Sequence, residues 1–465
     1  MSPCQKRSAS LSLSTRMLLP NSRRALIEIA LASGSGAGRT ISDPGHHAVL
    51  ADLARSTNLA VPLESVRDRS VLLLTGPQLP TVLALLALDG VARRLLIGLP
   101  DLKQADLSQV VADGEVDVVL RDNALASLLH VDGEARHKRE VDTEWILFTS
   151  GTTGTPKLVS HTLPSLTGPL DDGLAIGPAP VWATFYDVRR YGGLQILLRA
   201  LLGGGSMELS DASESVGEFL ARAGNNCVTH ISGTPSHWRR ALMSEATNRL
   251  SPKYVRLSGE IADQAILDNL KASFPEAEVA HAFASTEAGV GFDVRDGRAG
   301  FPASYIGRAD ARVELRVEDG ILRIRSARTA LRYLGAGRAL ADNRGFVDTG
   351  DMVERRGDRY YFLGRREGVI NVGGQKVYPE EVEAVLNRDP MVRISRVWAR
   401  RNPIMGAVVA ADVVLREPSA DFAPVREALL QACRETLAAH KVPVTLRAVP
   451  ELDMAASGKL KRRDE

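Results

Sequence analysis

From Ser70 onward, short apolar runs alternate with longer segments that mix apolar and polar positions. Val71–Leu74 and Arg94–Ile97 have the length and composition of buried strands, and Thr81–Leu88 between them predicts a helix. Val110–Val111 and Val116–Leu120 continue the alternation. After Trp145–Phe148, the strand-like runs are Val181–Tyr186, Met207–Leu209, Val228–Ile231, Tyr254–Leu257 and Glu278–Ala282. Helical stretches at Leu194–Leu202 and Val216–Ala223 fall between them, the first stopped by Gly203, Gly204 and Gly205. Strands separated by helices imply βαβ units and a mostly parallel sheet, which places ligands at the strands' C-terminal ends.

Beyond about Gly307 the pattern changes. Val313–Val317 and Ile321–Ser326 flank Glu318-Asp319-Gly320, and Met352–Arg355 and Tyr360–Leu363 flank Gly357-Asp358. Both read as hairpins of a small β subdomain. Pro379–Leu386 then opens a helix with Glu380 and Glu381 in its first turn, where acids are favoured. Strands at Val397–Trp398, Ala407–Val414 and Thr445–Val449 and an amphipathic helix at Ala423–Leu437 complete an α+β unit. The expected class is α/β: a large N-terminal domain over 25–363, built of α/β subdomains plus a small β subdomain, then a mobile α+β C-terminal domain over 364–465.

Composition changes this picture little. The chain has 465 residues, 44% hydrophobic and 25% charged, with a formal net charge of +2, so charge alone gives no nucleic-acid footprint. No apolar run reaches the roughly 18 residues of a membrane span. Three scattered cysteines, Cys4, Cys227 and Cys433, suggest a reducing compartment. Residues 1–24 carry five basic side chains and no acid, a composition shared with transit peptides. No secretory apolar core follows them. We read them as a disordered leader or an early start, with Met17 as another candidate start, and expect a cytoplasmic address.

The chemistry is concentrated in Thr149–Lys157, TSGTTGTPK. Five hydroxyl side chains, two glycines, one proline and one lysine occupy nine positions, between apolar runs that predict strands. Gly151 and Gly154 allow the backbone to bring N–H groups to an anion. Thr149, Ser150, Thr152, Thr153 and Thr155 supply hydroxyl donors, and Lys157 a positive charge. This suits a polyphosphate. It is not the common P-loop, because Pro156 precedes Lys157 and Leu158 follows it.

The string resembles the phosphate loop of the AMP-forming adenylating enzymes: acyl- and aryl-CoA synthetases, peptide-synthetase adenylation domains and luciferases. Four further signatures follow in that superfamily's order. Phe283-Ala284-Ser285-Thr286-Glu287 is similar to its Tyr-Gly-x-Thr-Glu, with phenylalanine for tyrosine and alanine for glycine. The resemblance implies that Phe283 stacks on adenine, Thr286 touches phosphate and Glu287 holds magnesium. Phe346 to Asp351 resembles the segment whose aspartate, here Asp351, accepts the ribose hydroxyls, with Arg365 as a second contact. Gly364–Glu383 matches the hinge and the start of the mobile domain. That implies Glu367 as the hinge and Gly373-Gly374 as the loop facing the thiol acceptor. Lys459 matches the adenylation lysine, although Asp453 and Met454 replace the usual proline and basic residue.

Ser258, Gly259 and Glu260 end another strand and belong to the expected nucleotide site. For the acid pocket the resemblance is thinner. Arg190 stands where the superfamily commonly has histidine, and Gly193 and His230 complete the expected pocket. The implied cofactors are ATP, Mg2+ and coenzyme A. The implied reaction is ligation of a small-molecule carboxylic acid to coenzyme A through an acyl-adenylate. Loading of an acyl carrier protein in trans, or a nucleotide-binding protein that has lost catalysis, are the alternatives.

Overall fold

The computed structural model describes residues 24–34, 38–131, 139–149, 156–168, 170, 178–308, 312–335, 339–417, 419, 421–453 and 460. The expectations for residues 1–23, for Ser150, Gly151, Thr152, Thr153, Gly154 and Thr155, and for Lys459 lie outside them.

Two sheets dominate. One has eight strands, in the spatial order 289–294, 278–285, 254–258, 230–233, 181–184, 206–209, 40–42 and 47–49. Its six inner strands are parallel, and the strand at each edge is antiparallel. The other has six strands, in the order 332–334, 157–161, 144–149, 94–97, 70–74 and 118–121. The last four are parallel.

Strand residues show why both sheets read as continuous apolar runs. Val71 and Leu73 point into the largest core, whereas Leu72 points into a second one with Leu96, Ile146 and Phe148. A strand covered on both faces has no polar side to show in its sequence. The largest core also holds Leu79, Leu83 and Leu86 of the Gln78–Leu88 helix and Leu194, Leu197 and Leu201 of the Tyr191–Leu202 helix. These helices are buried on nearly every side, as such all-round apolar segments must be. On the outer face of the eight-stranded sheet, Trp238, Phe219 and Ile266 form another core beneath three amphipathic helices.

The alternation continues where the sequence reading placed it: Val110–Val111 lies in the Gln104–Asp113 helix, and the strand Val118–Arg121 follows.

A five-stranded antiparallel sheet follows, in the order 301–302, 359–365, 347–356, 321–326 and 313–318. The chain then passes through the short turn Arg366–Gly368, where Glu367 is exposed, into the C-terminal sheet. That sheet packs its own core around Val382, Leu386, Leu429 and Leu430. No helix among the described residues is long and apolar enough to cross a membrane.

Candidate functional site

The strand Glu144–Thr149 and its antiparallel partner Lys157–His161 place Thr149 directly opposite Lys157. The two residues that frame the Thr/Gly-rich segment are therefore cross-strand neighbours. The Thr149 hydroxyl donates to Oε1 of Glu287 at 3.4 Å, and the Tyr333 hydroxyl donates to the same oxygen at 3.4 Å. The Lys157 ammonium stands 6.0 Å from the centre of the Tyr333 ring. Four stretches of chain thus bring two hydroxyls, one carboxylate and one cation together.

Glu287 sits in the turn between the Glu278–Ser285 and Gly289–Val294 strands, where Ser285 pairs with Gly289. Three clamps fix this turn. The Ala288 N–H donates to Oγ of Ser285 at 2.9 Å, and the Ala330 N–H donates to the Glu287 carbonyl at 2.9 Å. His161 Nε2 lies 2.7 Å from the Thr286 carbonyl. A carbonyl can only accept, so Nε2 carries the proton. His161 is fully buried, and burial lowers its pKa to about 4, which keeps the ring neutral. Gly289, at φ +74°, is required here, because a Cβ would lie 2.3 Å from the Arg328 carbonyl.

Across the sheet, the Ser258 carbonyl accepts from the Tyr186 hydroxyl at 2.7 Å. Gly259 turns the chain at φ +85°. The Glu260 carboxylate then accepts from the Ser236 N–H at 2.9 Å and from the Leu460 N–H at 3.1 Å. The second bond ties the C-terminal tail, at the residue after Lys459, to the end of a large-domain strand. His237 lies beside this corner, capped through Thr234 and stacked on Phe185 at 5.3 Å and 11°. Burial lowers the His237 pKa to about 3.

On the antiparallel sheet, Asp351 and Arg365 are cross-strand partners, 3.7 Å apart between Oδ1 and Nη1. The Arg365 side chain is 60% exposed, so the pair itself contributes little stability and leaves the guanidinium available to a ligand. The Thr349 hydroxyl braces this turn, donating to the Leu322 carbonyl at 2.7 Å and accepting from the Asp351 N–H at 3.1 Å.

Several expected residues stand elsewhere or have other partners. His230 is corrected: it begins its parallel strand, at the end opposite Ser258-Gly259-Glu260, packed 4.7 Å from Trp182 and 5.6 Å from Tyr254. The two ends of a strand look alike in sequence. The histidine beyond the C-terminal end of that strand is His237, in the helix that follows. Gly193 lies in the first helical turn, where a Cβ would be 2.2 Å from the Asp187 carbonyl, so it serves close packing. Arg190 pairs with Asp101 at 3.2 Å, while its neighbour Arg189 is buried and held by Asp187. The Phe283 ring stacks on Phe362 at 5.3 Å and on Phe292 at 5.7 Å; Ala284 follows it at a β-bulge. Gly373 and Gly374, at φ +57° and +86°, form the hairpin turn between Ile370–Val372 and Gln375–Val377. The sequence reading assigned no site role to His161, Tyr186 or Tyr333, and took His237, beside the Gly233-Thr234-Pro235 strand end, for a structural histidine.

Among the described residues no three His, Cys, Asp or Glu side chains cluster as a metal cage. A lone carboxylate beside hydroxyls suits a hard cation that takes most of its oxygens from phosphate and water. Glu287 with Thr149 fits a nucleotide-bound magnesium on that ground.

A family model described as AMP-binding enzyme matches residues 53–324, and one described as AMP-binding enzyme C-terminal domain matches residues 381–459. A 2-succinylbenzoate–CoA ligase of Geobacillus kaustophilus (strain HTA426) is 29% identical over 368 residues, 74% of this chain and 74% of that protein. That of Salmonella typhimurium (strain LT2) is 28% identical over 416 residues, 84% of this chain and 86% of the relative. In fold, the chain resembles the anthranilate CoA ligase AuaEII, solved in complex with anthranoyl-AMP. The TM-score is 0.78 at 18% identity, over 96% of this chain and 97% of that one.

Proposed function

Because the chain belongs to the AMP-binding enzyme family, whose model covers more than half its length, we propose that it is an ATP-dependent carboxylic acid–CoA ligase that forms an acyl-adenylate and then a thioester. The observation that carries this reading is the meeting of Thr149, Lys157 and Tyr333 around Glu287, with Thr149 and Glu287 138 residues apart in sequence.

In the first step a carboxylate oxygen of the acid attacks the α-phosphorus of ATP. The bond to the bridging oxygen breaks and pyrophosphate leaves. A carboxylate is a weak nucleophile, so the protein's work is positioning and charge neutralisation. The segment Thr149–Lys157 holds the polyphosphate. Asp351 accepts from the ribose hydroxyls, and Arg365 makes the second contact. Thr286 touches phosphate, and Glu287 with Thr149 would hold Mg2+, which neutralises charge on the phosphates. Lys459 reaches the substrate carboxylate and α-phosphate; the Leu460–Glu260 bond supports this by bringing the tail to the strand ends. Phe283 offers an aromatic face to adenine.

In the second step the unit after Gly364 rotates about Glu367, withdrawing Lys459 and bringing the Gly373-Gly374 turn to the acceptor. The thiol sulfur of coenzyme A attacks the acyl carbon, the bond to the phosphate oxygen breaks, and AMP leaves as the thiol loses its proton.

The test is incubation with ATP, Mg2+, coenzyme A and a panel of acids that includes 2-succinylbenzoate, anthranilate, benzoate and short-chain acids. AMP and a CoA thioester are expected with at least one acid. Their absence across the panel would overturn the reading. A phosphopantetheinylated carrier protein offered in place of coenzyme A decides between the two acceptors.

A further inference from the structure

The C-terminal unit meets the large domain along a seam between the Pro235–Ala241 helix and the Val392–Asn402 strand. Leu460 bridges the two sides. Its side chain packs with Ile394, Val414 and Leu452 in a small apolar cluster of the C-terminal unit. Its N–H donates at 3.1 Å to Oε1 of Glu260, which follows the Tyr254–Ser258 strand of the large domain. The other oxygen of that carboxylate, Oε2, accepts from the Ser236 N–H at 2.9 Å. Ser236 belongs to the seam helix, so one domain aims the carboxylate and presents it to the other. A charged acceptor makes the stronger kind of hydrogen bond.

The same seam carries like charges. Arg240 stands on the helix and Arg393 on the strand. The Nε of each is buried without a hydrogen-bond partner among the described residues. Burial lowers the Arg240 pKa, the Arg393 charge lowers it further, and Glu260 and Glu451 act in the opposite sense. Guanidinium groups keep their charge at neutral pH, so two of them on opposite sides of a seam repel. One bond thus closes the seam at Glu260 while a repulsion beside it favours opening.

We propose that Glu260 is a positioning residue for the first half-reaction: its carboxylate latches the C-terminal tail to the large domain, and its charge offsets the repulsion between Arg240 and Arg393. This assignment rests on the ligase reading. Leu460 directly follows Lys459, so a latch at Leu460 sets where that lysine sits while the acyl-adenylate forms. The thiol step, in which the unit turns away, has no use for it.

Two measurements on the full-length protein test the latch. The first needs no catalysis: hydrogen–deuterium exchange, without nucleotide, of the C-terminal peptide that contains Leu460. Glu260→Gln keeps the size and removes the charge. It should speed exchange there about fivefold, the scale of one hydrogen bond. Arg393→Met removes the repulsion and should slow exchange, and Glu260→Gln/Arg393→Met should fall between the two single variants. The second measurement compares half-reactions with an acid that the wild type activates. Pyrophosphate exchange reads the first, and thioester formation from supplied acyl-adenylate and coenzyme A reads the second. Glu260→Gln should lower kcat of the first at least about tenfold more than the rate of the second, as expected when a reacting group is misplaced. Adding Arg393→Met should restore part of that loss. Equal exchange in wild type and Glu260→Gln, or equal loss of both half-reactions, would overturn the proposal. So would a raised KM for ATP with kcat kept, which would make Glu260 a nucleotide contact. If Glu260→Gln does not fold, Arg393→Met decides alone, and exchange no slower than wild type overturns the proposal. Should no acid be activated, the exchange measurement still tests the latch, so failure here and failure of the ligase reading are told apart.

Discussion

Glu287 is one carboxylate shared by two hydroxyls, Thr149 and Tyr333, in a turn held on three sides. Its charge, rather than its shape, is what a nucleotide-bound magnesium requires. Glu287→Gln keeps the shape and removes the charge. Pyrophosphate exchange should fall by on the order of a hundredfold, the scale of losing one charge-stabilising group at a transition state, while the melting temperature stays near wild type. His161 is a positioning residue: it holds the Thr286 carbonyl and touches no substrate in this reading. His161→Ala leaves that buried carbonyl short of a donor. It should cost about 1–3 kcal/mol of stability and lower kcat more than it raises the KM for ATP, measured together on the purified variant. At this scale the sequence was partly legible. The residues framing the hydroxyl-rich segment stood out by composition, and the Thr286-Glu287 pair by its resemblance to a family signature. His161 did not, because its role comes from a contact with Thr286, 125 positions away.

The helices and strands were legible where their apolar runs were long enough to show a period. The Tyr191–Leu202 helix and the Val313–Glu318 and Ile321–Ser326 hairpin all appear near their expected places. Very short strands such as Thr40–Ser42 and Arg332–Leu334 escaped, because three residues carry no periodicity. The turn Arg366–Gly368 joins the antiparallel sheet to the C-terminal one. Proline fixes φ, so Glu367→Pro should hinder rotation there. Pyrophosphate exchange should persist while CoA thioester formation drops at least about tenfold; equal loss of both would argue against a hinge. Within the C-terminal sheet, Asp412 pairs across strands with Arg396 at 2.8 Å and Arg447 at 2.6 Å. Asp412 and Arg396 are both buried. Asp412→Asn removes the charge that faces the buried Arg396 guanidinium and should destabilise the fold by about 3–5 kcal/mol, read by urea unfolding.

At the scale of the whole molecule, buried histidines contribute to the loss of stability in acid. Burial lowers His161 and His230 to about 4 and His237 to about 3. Between pH 6.5 and 4 the unfolded chain takes up protons that the folded chain refuses, so stability present above pH 6.5 is lost as pH falls. His161 alone accounts for about 3 kcal/mol of that loss. Denaturant unfolding from pH 7 to pH 4.5 should show the decline, and His161→Gln, which cannot titrate, should make it shallower. What the sequence determined by itself was local: which runs form strands and helices, which residues could hold phosphate, and the order of signatures that marks the family. Those features follow from chemistry and spacing within one stretch of chain. The tertiary structure alone decided that His230 begins its strand, packed against Trp182 and Tyr254, while His237 stands beyond the other end of that strand. It also brought Tyr333 to Glu287, and Leu460 to Glu260. Those outcomes depend on how distant strands pair and stack, and no spacing along the chain encodes the distance between residues brought together by the fold.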